Sequence, residues 1–216
     1  GGSGAPEFNS SQYDLIDHNH FRDRPPGDGN GYESVRLGLS TLAYSSGYTI
    51  FEFNLFEHCD GEGEIVTVKT SDQKIRNNTF RDCYGMLTLR GGNRNTVEGN
   101  FFISNDAKHG TQGVRLYGDD HRVINNYFQG LDGPAIIMPN GDFEGARRTE
   151  KEGAIGRTYL RSRHTVIAFN TVIDCRKECF LIGDARAEYP LSPIDCIIAN
   201  NLIVSREGSF VKFLSR

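Results

Sequence analysis

The chain has 216 residues, which on a scale of about 100–200 residues per domain fits a single domain. Hydrophobic residues at 37% and 25 glycines allow a buried core, and no uncharged apolar run approaches the roughly 18 residues of a membrane span. The 24 Lys and Arg against 28 Asp and Glu give a net charge of −4, so the molecule as a whole does not attract polyanions and any such partner must be held by a local cationic patch.

Gly1 to Phe8 lack a start methionine and read as an appended linker, which leaves residues 9–216 as one expected domain. From there a short pattern of apolar residue, small or polar residue, Asn, and aromatic or aliphatic residue recurs. Its copies run over Leu15–Phe21, Ile50–Phe56, Ile75–Phe80, Val97–Phe102, Val123–Phe128, Val166–Val172 and Ile197–Ile203. The repeated Asn residues are Asn19, Asn54, Asn78, Asn100, Asn126, Asn170 and Asn201, at intervals of 35, 24, 22, 26, 44 and 31 residues. Between them lies a second strand-like set: Ser34–Leu37, Ile65–Val68, Met86–Leu89, Gly113–Leu116, Ala135–Met138 and Cys179–Ile182. Each repeat therefore carries at least two short strands, and helical periodicity is nearly absent.

These features predict an all-β right-handed parallel β-helix, a solenoid in which each coil touches only its neighbours. The repeated Asn side chains are expected to stack at one bend as a ladder that satisfies turn backbone groups. Propeller blades need about 40–45 residues each, longer than the commonest interval here. A leucine-rich repeat would need regular Leu positions, which are missing. Five cysteines complete the inventory. Cys59, Cys83 and Cys175 each follow a ladder Asn by five residues and read as core-filling thiols. Cys175 and Cys179 lack a second motif that would make a zinc site, and the odd count, Cys196 included, neither requires nor excludes a disulfide and leaves the redox compartment open.

Chemistry concentrates in the coils from Asp28 to Tyr117. Aligning Val68 with Leu89 as inward residues turns Lys69 and Arg90 outward, one coil apart, on one face. Like charges at the roughly 4.8 Å strand spacing are disfavoured by structure alone. Arg36 in the preceding coil, and Arg115 with Tyr117 in the next, are expected to extend the column into a cationic stripe suited to carboxylates or sulfates. The competing reading is a solvated face balanced by neighbouring acids. Glu62 and Glu64 project to one side just before Lys69, and Asn30 and Glu33 can approach them from the preceding coil. Such an all-oxygen set suits Ca²⁺ better than zinc, while salt bridges to Lys69 and Arg36 are the structural alternative.

Together these residues carry a family resemblance. Asn30-Gly31-Tyr32-Glu33, the stretch Asn54 to Lys69 containing Cys59-Asp60-Gly61-Glu62-Gly63-Glu64, and Leu87-Thr88-Leu89-Arg90-Gly91-Gly92-Asn93 resemble polysaccharide lyase family six, the alginate lyases and chondroitinase B. The resemblance runs from about Leu15 to Val204. It implies cleavage of a uronic-acid polysaccharide by β-elimination, with Lys69 as general base and Arg90 on the acid side. It further implies Ca²⁺ at Asn30, Glu33, Glu62 and Glu64, and substrate binding by Arg115. Because an arginine pKa exceeds about 12, Arg90 is better suited to stabilising charge than to donating a proton.

Tyr117, Arg36 and His121 join Arg115 as candidate substrate-binding residues. For His121 and His109 a structural or surface role competes with proton shuttling. Alginate is the preferred partner, with dermatan sulfate as the other candidate, and the resemblance implies a secreted or periplasmic protein. Two departures stand out: Gly91 where the family often has His, and the lack of the several coils that usually precede the Asn19 turn. The latter suggests a truncated chain, a missing associated piece, or a short member capped by a partner. Two rival functions are a non-catalytic polysaccharide-binding β-helix and a glycoside hydrolase using Asp119, Asp120 and His121. The stretch from Asp142 to Arg161, rich in charge and Gly, is expected either to cover the groove or to be disordered.

Overall fold

The computed structural model describes residues 11–105, 108–144, 159–183 and 186–214. Its strands form three parallel seven-stranded sheets that wind as a right-handed parallel β-helix. The first sheet holds β1 (Leu15–Asp17), β4 (Ile50–Glu52), β7 (Lys74–Arg76), β10 (Thr96–Glu98), β13 (Arg122–Ile124), β16 (Val166–Ala168) and β19 (Ile197–Ala199). The second holds β2 (His20–Arg24), β5 (Leu55–Cys59), β8 (Thr79–Arg81), β11 (Phe101–Ile103), β14 (Tyr127–Gln129), β17 (Thr171–Ile173) and β20 (Leu202–Val204). The third, which carries the candidate site, holds β3 (Val35–Leu37), β6 (Glu64–Val68), β9 (Gly85–Leu89), β12 (Thr111–Leu116), β15 (Ile136–Met138), β18 (Phe180–Gly183) and β21 (Val211–Leu214).

Each Asn motif thus spans two strands and the corner between them. The residue before the ladder Asn takes a left-handed φ, from 52° to 65° at His18, Phe53, Asn77, Gly99, Asn125, Phe169 and Asn200. That single residue turns the chain from the first sheet into the second, and the Asn then mends the broken ladder of backbone bonds. Asn54 Nδ2 donates to Asn78 Oδ1 at 2.9 Å, and the contact repeats at 2.9–3.0 Å from Asn19 through Asn201. Each acceptor oxygen also takes the backbone N–H of the preceding ladder Asn, as Asn78 Oδ1 does from Asn54 N at 3.0 Å.

A second ladder runs five residues earlier, through unlike side chains. Thr49 N donates to Gln73 Oε1, Gln73 N to Asn95 Oδ1, and Asn95 N to His121 Nδ1, at 2.8–3.1 Å. Between the sheets the core is layered coil by coil. Phe21, Phe56, Phe80, Phe102 and Phe128 stack with centroids 4.6–5.0 Å apart. Cys59, Cys83, Cys175 and Cys179 are buried free thiols within the same core.

Candidate active site

Strand alternation on the third sheet buries Leu37, Val68, Leu89 and Leu116 and turns the residues between them outward. Val68 pairs with Leu89, as the sequence alignment assumed. The outward residues form two columns rather than the single one expected. Arg36 aligns with Thr67, Thr67 with Thr88, and Thr88 with Arg115. Lys69, Arg90 and Tyr117 make the next column, where the backbone ladder continues past the strand ends: Lys69 N donates to Leu37 O, Arg90 N to Val68 O and Tyr117 N to Leu89 O, at 2.8–3.0 Å. Arg36 and Arg115 therefore lie two residues before the Lys69 column, because side chains on one face recur with a period of two.

Electrostatics link the columns. Burial lowers the Lys69 pKa from its usual value, and the Arg36 and Arg90 cations lower it further against the opposing pull of Glu33 and Glu64. The Arg36 guanidinium is held more firmly protonated by its hydrogen bond to Glu33, and then by the charges of Glu33, Glu62 and Glu64. Arg36 Nε donates to Glu33 Oε1 at 2.5 Å. Burial alone would raise Glu33, but this bond and the nearby cations bring it below the usual carboxylate value.

The oxygen donors expected for a metal are present, but the three carboxylates have other engagements. Glu62 Oε2 accepts from Gly31 N at 2.8 Å and Tyr32 N at 3.2 Å. Glu64 pairs with Arg115 through Oε1 and accepts from Thr67 Oγ1 at 2.7 Å through Oε2. Asn30 is exposed, next to the Gly31 amide that holds Glu62. Among the described residues no three carboxylate, His or Cys side chains converge as metal ligands. Two observations nevertheless fit a hard cation. The donors are all oxygens, and Glu33 Oε2 is buried without a hydrogen-bond partner although its side chain is only 5% exposed. Thr88 Oγ1 and Arg115 Nε are likewise buried and unpartnered on this face.

Two candidate substrate contacts require correction. His121 is 0% exposed: Nδ1 accepts from Asn95 N, so Nε2 carries the proton and donates to Tyr117 O at 2.9 Å. It is a rung of the second ladder and has no face for substrate. Tyr117 is 3% exposed, its ring covered by Tyr159 at 4.8 Å between centroids, and burial pushes its pKa up to about 12. His109 is a surface residue 3.2 Å from Asp132 Oδ2. Asp119 is taken by Arg163, with Nε at 3.0 Å from Oδ1, so with His121 buried the hydrolase constellation does not assemble.

Sequence reasoning missed the aromatic wall beside Arg90. The Arg90 guanidinium carbon lies 3.8 Å from the Tyr159 ring centroid, Tyr159 meets Tyr189 edge-on at 5.2 Å, and Arg186 stacks on Tyr189 at 4.3 Å. Tyr159 belongs to the Asp142–Arg161 stretch, of which 145–158, where the expected covering or disorder falls, lie outside the described residues. Gly91 faces the segment after β3: a Cβ there would stand 3.4 Å from Ala43 Cβ and from Lys69 O.

The resulting surface brings together a lysine of lowered pKa, three arginines and a carboxylate cluster on one face of the third sheet, a charge set suited to an acidic sugar. The family model for chondroitinase B matches residues 4–215. A mannuronic acid specific family 6 polysaccharide lyase from human gut microbiota superposes with TM-score 0.81 at 31% identity, over 93% of this chain and 44% of that one. A mutant of the alginate lyase AlyGC gives 0.83 at 31% identity, over 94% and 27% of the two chains. A family 6 polysaccharide lyase from Pseudopedobacter saltans gives 0.79 at 28% identity, over 92% and 51%. This chain therefore spans about half or less of the length of these relatives. No curated protein matches it. From the family match along nearly its whole length and the shared solenoid, the chain belongs to the chondroitinase B family, polysaccharide lyase family 6.

Proposed function

We propose that the protein cleaves a uronic-acid polysaccharide, alginate before dermatan sulfate, by β-elimination. The observation that carries this reading is the column of Lys69 and Arg90, one rung apart on one face of the third sheet, with the Lys69 pKa lowered beside a carboxylate cluster. Support for alginate comes from relatives described as mannuronic acid specific and as alginate lyase, each 31% identical to this chain. A polymeric substrate of this size is met outside the cytoplasmic membrane, so a secreted or periplasmic location accompanies the proposal.

Neutral Lys69 takes the proton from C5 of the uronate through its Nζ lone pair. The C5–H electrons pass toward the sugar carboxylate, where Arg90 and Arg115 oppose the growing negative charge. The C4–O bond then breaks, its electrons leave with the glycosidic oxygen, and a C4–C5 double bond remains. Protonated Lys69 or water returns a proton to the leaving oxygen. Arg90 remains a fixed cation throughout, since a guanidinium is not deprotonated in proteins. Asn30, Glu33, Glu62 and Glu64 would hold calcium, which when bound supplies Lewis-acid neutralisation of the uronate carboxylate. Arg36 sits among those three carboxylates and balances their charge.

Polymannuronate, polyguluronate and dermatan sulfate, each with and without calcium, test the proposal through the ultraviolet absorbance of the unsaturated product. Rising absorbance on an alginate block, abolished by Lys69→Ala, is the expected result. New reducing ends without the chromophore would show hydrolysis instead. Binding without turnover would leave a polysaccharide-binding module.

A further inference from the structure

The Asp142–Arg161 excursion leaves the solenoid after β15 and returns before β16, and its two ends are tied together. Tyr159 N donates to Asp142 Oδ1 at 2.6 Å, Arg161 N donates to Phe143 O at 2.9 Å, and Phe143 bridges Leu160. The closure requires Gly141: a Cβ there would stand 2.5 Å from Arg161 N and 2.6 Å from Tyr159 O. This pinning delivers Tyr159 onto the open face of the third sheet.

Once there, the ring has neighbours on several sides. Tyr117, the rung following Arg90, packs against it with the planes tilted by 50°, and Tyr189 meets it at 85°. Arg90 approaches to 3.8 Å, a distance at which the ring quadrupole attracts a guanidinium. The aromatic cluster is thus anchored to the solenoid through Tyr117 and tied to the pinned excursion through Tyr159.

We infer that Tyr159 is a positioning residue for Arg90: its ring holds the guanidinium in place on the cleft before substrate arrives. This rests on the lyase reading above, in which Arg90 must face charge that develops only during elimination. An arginine on a free stem samples many rotamers, and ordering it during the reaction would cost entropy and reorganisation. Contact with a fixed ring narrows those rotamers beforehand, together with the other contacts Arg90 makes. Tyr159 acts through Arg90 and touches no reacting atom in this role, and the ring rather than the hydroxyl is what the role needs.

The test compares Tyr159→Phe, which keeps the aromatic face, with Tyr159→Leu, which keeps apolar bulk without it. On the alginate block that wild type cleaves, Tyr159→Leu is expected to lower kcat roughly ten- to a hundredfold with KM changed less than about threefold, while Tyr159→Phe stays near wild type. In parallel, NMR of the Arg90 side chain is expected to show ring-current-shifted δ protons in wild type and Tyr159→Phe, and unshifted ones in Tyr159→Leu. Unchanged kcat in Tyr159→Leu, or equal losses in both variants, would overturn the positioning role. Unshifted Arg90 protons in wild type would overturn it while leaving the lyase reading intact. A wild type that eliminates none of the three polymers would overturn the lyase reading, and the catalytic positioning role with it, whatever ring-current shift remains.

Discussion

Glu64 and Arg115 form an ion pair across two coils of the third sheet, joining a residue expected to bind metal to one expected to bind substrate. Glu64 Oε1 cannot serve Arg115 and a cation equally well, so the two compete. Arg115→Ala is expected to tighten calcium binding severalfold while raising KM for the polysaccharide. Glu64→Gln is expected to weaken calcium binding by about tenfold, equivalent to about 1.4 kcal/mol. Isothermal titration with calcium measures both, and affinities unmoved by either change would remove Glu64 from the metal site.

Lys69 gives a pH-dependent prediction with a definite sign. Its folded pKa is lowered, burial being the largest cause, so the neutral base becomes available below the ordinary lysine range near 10.5. kcat/KM is expected to rise with pH and to reach half its plateau below that value. Loss of a general base typically costs about 10²–10⁴ in rate, which sets the expected defect of Lys69→Ala. Lys69→Arg is expected to fail as well, because a guanidinium with a pKa above about 12 stays charged.

The same shift affects stability. The unfolded chain binds the Lys69 proton more tightly than the folded one, so Lys69 costs stability at neutral pH and the cost fades as pH rises through the ordinary lysine pKa. Lys69→Ala is therefore expected to melt at or above the wild-type temperature at pH 7 while losing activity. A clear fall in Tm, read by circular dichroism, would mean that Lys69 supports the fold.

The legible part of the molecule was the part written with one residue type at one position. The seven ladder Asn residues announce their stack because each corner needs the same amide, and Val68 with Leu89 fixes the Lys69–Arg90 rung because alternation is strict within a strand. The second ladder was invisible for the opposite reason. Gln73, Asn95 and His121 share an acceptor atom rather than a residue type, so His121 read as a candidate site residue when it is a structural rung. Tyr159 lay beyond reach because its place beside Arg90 depends on how a long excursion closes at Gly141, which no local period encodes. The residue that turns each corner was not legible, because residues as different as Phe53, Asn77 and Gly99 take the left-handed conformation there.

His121 carries a consequence of its burial. The folded state holds it neutral with a lowered pKa, so acid favours the unfolded chain. Stability is expected to fall as pH drops below the ordinary histidine value near 6.5, by at most about 1.4 kcal/mol per pH unit from this group. His121→Asn supplies an acceptor like that of Asn95 without the titration. Urea unfolding at pH 7 and pH 5 is expected to show a smaller acid loss in the variant, and equal losses would discard His121 as the acid-sensitive rung.

The Asn ladder should be uneven in its energetics even though its geometry repeats. Asn100 Oδ1 accepts from Asn78 N at 2.9 Å and Asn78 Nδ2 at 3.0 Å, while its own Nδ2 donates to Ile75 O at 2.9 Å and Asn126 Oδ1 at 3.0 Å, all inside the solenoid. Asn100→Ala leaves the buried Asn78 backbone N–H without its acceptor, at about 1–3 kcal/mol, while Asn78 Nδ2 keeps Phe51 O and Arg76 O. Asn19 stands exposed in the first described coil and donates to Asn54 Oδ1, which also takes the Asn19 backbone N–H. After Asn19→Ala that oxygen keeps the backbone donor and the open corner is hydrated, so the expected cost is below about 1 kcal/mol. Because each coil contacts only its neighbours, the Asn100 variant is expected to loosen adjacent rungs first, visible as faster amide exchange at Asn78 and Asn126 than at Asn201. Equal denaturant midpoints for the two variants would mean that hydration replaces the ladder amide as well inside the solenoid as at its edge.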